Sequence, residues 1–90
     1  MNKAEGKELR KLLEIGNTFV AEIRSAPKNL FDKHLYQVVF ITKGGAEFIW
    51  TLQNRVDRGS EGKIREFKTI ESAVKCIKSI GYVGNITRIG

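Results

Sequence analysis

The sequence predicts an α+β domain: an antiparallel sheet of three to five strands, arranged as a meander, with an N-terminal helix and a C-terminal amphipathic helix packed on it. Three observations lead there. Two β-rich runs, LYQVVFITK (35–43) and AEFIWTLQ (46–53), flank Gly44-Gly45. Residues 70–80 carry apolar side chains at helical spacing. Residues 3–15 place leucines on one stripe and are followed by a glycine-asparagine stop.

The first helix is expected over 3–15. Leu9, Leu12 and Leu13 share a stripe, with Ile15 extending it, and Lys3, Lys7 and Lys11 share another face. Gly16-Asn17 tolerates the left-handed backbone that ends helices. Residues 18–25, TFVAEIRS, alternate as a strand, with Phe19, Ala21 and Ile23 opposite Val20, Glu22 and Arg24. The stretch 26–34 holds the one proline, Pro27, and reads as a loop, with Leu30 and Phe31 tucked at the core edge.

The hairpin follows. A two-residue Gly44-Gly45 turn pairs Lys43 with Ala46. Ile41 then faces Phe48, Val39 faces Trp50 and Gln37 faces Leu52. The other face pairs Thr42 with Glu47, Phe40 with Ile49, Val38 with Thr51 and Tyr36 with Gln53. The first face is the more apolar, so Val39, Ile41, Phe48, Trp50 and Leu52 are expected to join Ile70, Val74 and Ile77 in the core. A slip of one residue exchanges the faces.

Residues 54–63 form a polar, glycine-containing loop, and 64–68 return as a short strand. The second helix runs over 70–80 with Thr69 as N-cap, a stripe of Ile70, Ala73, Val74, Ile77 and Ile80, and Gly81 as its stop. The tail 82–90 has β-type composition and is a candidate last edge strand. The order helix, three strands, helix resembles that of double-stranded-RNA-binding domains. The second helix here opens with Thr69-Ile70-Glu71-Ser72-Ala73, without a lysine-rich start, so the likeness stops at topology.

Ninety residues suffice for one domain, 1–90, with one modest core. Hydrophobic residues at 41% and charged residues at 29% are the proportions of a globule, not of a disordered tail. A single cysteine, Cys76, excludes an internal disulfide, and with His34 as the only histidine no Cys/His metal cluster is expected. No apolar run has membrane-spanning length and no secretory leader is evident, so a cytoplasmic protein with no membrane partner is expected. Cys76 reads as a small residue at a core edge and His34 as a loop residue. The carboxylates are scattered among basic residues. Gly59-Ser60-Glu61-Gly62-Lys63 lacks the spacing of a phosphate-binding loop. No enzyme and no cofactor are therefore expected.

Sixteen Lys and Arg against ten Asp and Glu leave a net charge of +6, which suits a polyanionic partner. The excess is not concentrated in an arm: residues 1–45 and 46–90 each carry eight basic and five acidic groups. The densest cluster is Arg55, Arg58, Lys63, Arg65 and Lys68, and Lys75 and Lys78 continue it along the second helix. Tyr36, Val38, Phe40 and Ile49 project from the sheet face opposite the expected core, where Phe40 and Tyr36 are placed to stack bases. The function expected from these residues is that of a small basic nucleic-acid-binding or regulatory accessory protein, with a homodimer as a possible assembly. The alternative is a protein-interaction module using the sheet face or an edge strand.

Overall fold

A computed structural model of the chain describes residues 2–16, 18–26, 35–52 and 63–89, and the structural statements below concern these. The elements are β1 (Asn2–Ala4), α1 (Gly6–Glu14), β2 (Thr18–Ser25), β3 (Tyr36–Thr42), β4 (Glu47–Trp50), α2 (Ile70–Ser79) and β5 (Ile86–Ile89). They build one five-stranded sheet in the order β1-β4-β3-β2-β5. The α+β class stands, but the sheet is mixed. Its centre, β2-β3-β4, is the expected antiparallel meander, whereas β1 pairs β4 and β5 pairs β2 in parallel.

The parallel edges follow from two interlocked crossovers. β1, α1 and β2 form one, and β4, α2 and β5 the other. Each spans two intervening strands, and both move the same way across the sheet. Parallel crossovers are right-handed almost without exception. Two of the same hand, running the same way, place both helices on the same face. The core agrees: Leu9 of α1 and Ala73 and Ile77 of α2 share one cluster with Ala21, Ile23, Val38, Phe40 and Trp50.

The first helix is shorter than the leucine pattern implies. Residues 2–4 leave it to pair with Phe48–Trp50, and the Thr51 amide donates to the Ala4 carbonyl at 2.8 Å. The sheet edge offers residues 2–4 backbone pairing in place of a further helical turn, and α1 begins only at Gly6. Ala4 is buried against the core as a result. Ile15, the C-cap beyond the end of α1, is 71% exposed and does not extend the buried stripe of Leu9. Gly16 stops the chain there at φ +68°.

The hairpin register differs from expectation by one residue. The Gly45 amide donates to the Thr42 carbonyl at 3.0 Å, and the Thr42 amide donates to Ala46 at 2.9 Å. The loop is therefore the three residues Lys43-Gly44-Gly45, with only Gly45 at positive φ (+90°). The Ala46 amide also donates to Thr42 Oγ1 at 3.1 Å. Phe40 pairs with Phe48, Val39 with Ile49 and Ile41 with Glu47. The two expected faces are thereby recombined. Val38 and Phe40 lie beneath the helices with Phe48 and Trp50, while Val39, Ile41 and Ile49 share the other face. Of the residues expected in the core, Trp50 and Ile77 are buried there and Phe48, Ile70 and Val74 pack against it. Val39 is buried outside that cluster, and Leu52 is 42% exposed.

The face without helices carries an ionic cluster. Arg24 on β2 donates to Glu22 through Nε at 2.8 Å and to Glu47 on β4 through Nη2 at 3.1 Å. β3 lies between β2 and β4, and the register puts Val39 in the path of that pair.

Candidate nucleic-acid interface

The residues expected to contact nucleic acid do not form one surface. Arg55 and Arg58 lie outside the described residues. Lys63 is exposed beside the end of β4, where the Leu52 amide donates to its carbonyl at 2.8 Å. From Lys63 the chain runs extended between the end of β4 and the start of β3. Ile64 bridges Thr51 and Phe67 bridges Tyr36, which is what the expected short strand over 64–68 becomes.

Arg65 is turned inward by this segment. Its guanidinium lies 5.2 Å from the Trp50 ring centroid and 5.1 Å from that of Phe67, and Nη2 donates to Cys76 Sγ at 3.6 Å. A guanidinium over two aromatic faces is held by the ring quadrupoles. Arg65 is thereby a packing residue more than a free phosphate contact. Phe40 is 1% exposed, with its ring edge-on to Tyr82 at 5.6 Å. It is a core residue and offers no face to a base. The expectation of Phe40 stacking rested on the two-residue turn, which puts it opposite the core. Ile49 is on the other side of the sheet from Phe40, so the expected apolar quartet with Tyr36 and Val38 does not share one face.

Lys68 and Tyr36 do come together. They line a cleft of about 730 Å³ where the start of β3, the start of α2 and the end of β5 converge. Each element has a local reason to be there. The Tyr36 and Phe67 backbones exchange hydrogen bonds at 2.8 Å, which fixes the approach to α2. Thr69 caps α2 by accepting from the Ser72 amide at 3.0 Å. Arg88 sits opposite Ile23 in the β2–β5 ladder, so it shares the helix-covered face and is directed toward α2.

Lys75, one turn into α2, and Arg88 complete the cleft with Lys68. Ile70 and Val74, both half-buried, give it an apolar wall. Three cations and one carboxylate, Glu71, line it. Among the described residues the ion pairs are Lys7–Glu5, Arg24–Glu22 and Arg24–Glu47, so none of the three cleft cations is paired. Lys78 lies exposed near the end of the same helix.

Of the residues that line the cleft, the sequence singles out Lys68, Tyr36 and Lys75 but not Arg88. Its alternation with Ile86 was the available signal, since in a strand both residues face one side. Among the described residues no group of three His, Cys, Asp or Glu side chains gathers to hold a metal, and His34 lies outside them. No helix among them is long and apolar enough to cross a membrane. No protein-family model matches the chain, and neither a curated protein nor a solved structure matches it.

Proposed function

We propose that the protein is a non-enzymatic nucleic-acid-binding protein whose contact surface is the cleft between α2 and β5. The observation that carries this reading is the convergence of Lys68, Lys75 and Arg88, unpaired among the described residues, around Tyr36. Arginine offers a planar fork of donors and lysine a mobile point charge, and both suit phosphate oxygens. The net charge of +6 favours approach of any polyanion. The start of α2 adds little, because Thr69 and Glu71 already complement it.

The test is binding of fluorescent DNA and RNA, single-stranded and duplex, at two salt concentrations. The reading expects affinity to fall steeply with salt through counterion release. Replacing Lys75 and Arg88 together by Ala should weaken binding on every sequence and lower the salt slope by roughly 2, one for each phosphate no longer neutralised. Absence of salt-sensitive binding to every probe refutes it.

A second reading, a protein-interaction module, is favoured by β5. Among the described residues β5 pairs only with β2, which leaves its outer edge open to a strand from another chain, a second copy included. Such binding would persist at high salt.

A further inference from the structure

We infer that the cleft takes a single strand, with one unstacked base against the apolar wall and its phosphates on the cations. The inference rests on the nucleic-acid reading above and names its substrate. Two features of the cleft point the same way.

The first is its size. A phosphate group occupies the space of a few water molecules, at roughly 30 Å³ each. A volume of about 730 Å³ leaves space for a nucleobase beside it. The second is the chemistry of the lining. Lys68, Lys75 and Arg88 supply charge, whereas Tyr36, Ile70 and Val74 supply a wall that phosphate does not need. A surface that only tracks a duplex backbone needs cations alone, since paired bases are stacked away from it. A cleft with both matches the pairing of basic groove and stacking platform that single-strand binders use.

The energetic comparison favours the same occupant. Extracting a paired base from a duplex costs about as much as stacking it on an aromatic side chain returns. A duplex thus gains little from the apolar wall. A single strand brings bases that are already free to enter, and keeps the gain.

The probes are an oligodeoxyuridine and an oligouridine of about twelve nucleotides, which differ only in the sugar and lie within the range of single-strand site sizes. They are compared with a duplex of the same length and with an abasic phosphodiester strand carrying the same charge. The inference expects at least one oligonucleotide to bind roughly tenfold or more tightly than both the duplex and the abasic strand, as a stacked base would give. Which of the two binds better identifies the sugar. Tyr36→Leu should weaken the oligonucleotide several-fold and leave the abasic strand unchanged. The abasic comparison needs no variant, so the test survives a Tyr36 substitution that fails to fold. Duplex or abasic binding as tight as the oligonucleotide, still abolished in the Lys75→Ala, Arg88→Ala variant, overturns the single-strand inference while the nucleic-acid reading stands. Salt-sensitive binding to no probe removes both.

Discussion

Arg65 lies with its guanidinium carbon 5.2 Å from the centre of the Trp50 ring, on the amide-paired segment that separates the end of β4 from β3. A residue that sequence alone assigns to phosphate thus packs against the aromatic core. Phe67 on its other side and Cys76 of α2 complete its surroundings.

Arg65→Ala is expected to destabilise the fold by roughly 1–2 kcal/mol, from removal of the cation–π attraction and of the packing of the stem. Arg65→Lys should recover little, because a compact ammonium cannot lie flat on two rings. Chemical denaturation midpoints measure both. The salt slope of nucleic-acid binding should stay at its wild-type value in either variant, and a drop of one unit would return Arg65 to the phosphate surface.

Arg24 joins the carboxylates of Glu22 and Glu47 across β3. Arg24→Ala should cost roughly 1–2 kcal/mol, more than an ordinary surface pair, because the group is half-buried and satisfies two partners. A double-mutant cycle with Glu47→Gln should show coupling. Strict additivity would mean that the pair across the strand is not formed in solution.

Gly45 and Gly44 are expected to respond differently to the same change. Gly45→Ala forces a side chain into positive φ and should cost about 1–2 kcal/mol. Gly44 has no positive φ, so Gly44→Ala should stay within about 0.5 kcal/mol. Equal losses at both sites would indicate the two-residue turn and the other register.

Burial raises the Tyr82 phenol above its ordinary pKa of 10.0, and a hydrogen bond near the Ala21 backbone offsets part of the rise. The folded state therefore favours the neutral phenol. That contribution is fully present below the unfolded value of 10.0 and is lost as pH climbs through the higher folded value. Tyr82 also donates to the Asn85 carbonyl at 2.6 Å. Tyr82→Phe should cost about 1 kcal/mol at neutral pH and flatten the decline of stability under alkaline conditions. Thermal melts of both proteins from neutral to strongly alkaline pH read this directly.

What could be read from the sequence was local. β2 occupies the residues that alternate, Thr18–Ser25, and α2 starts at its Thr69 cap and stops before Gly81. β1 has no such signature. Three residues, Asn2, Lys3 and Ala4, become a strand only because Phe48–Trp50 lie beside them. The hairpin was recognisable, but its register hung on one backbone angle, and the register decides which residues of β4 share a face with Phe40. The cleft was partly visible, through Tyr36 and Lys68. Arg88 joins them only because β5 returns in parallel beside β2, a pairing set by the crossover and not by the residues of β5 themselves.

The two edge pairings also set an order of assembly. Asn2 meets Phe48 and Ala21 meets Ile86, so each edge closes a long stretch of chain, whereas β2, β3 and β4 pair with sequence neighbours. Loop-closure entropy makes the local pairings form first and the distant ones last. β5 is then a late-docking strand and, at an edge, an early one to fray. Arg88 rides on it. The cleft is complete only while that strand is docked, so a polyanion held by Arg88, as proposed above, would act as a latch: its binding free energy would be added to the closing of the last strand. Hydrogen exchange at the amides of Ile86 to Ile89 should slow when ligand is bound.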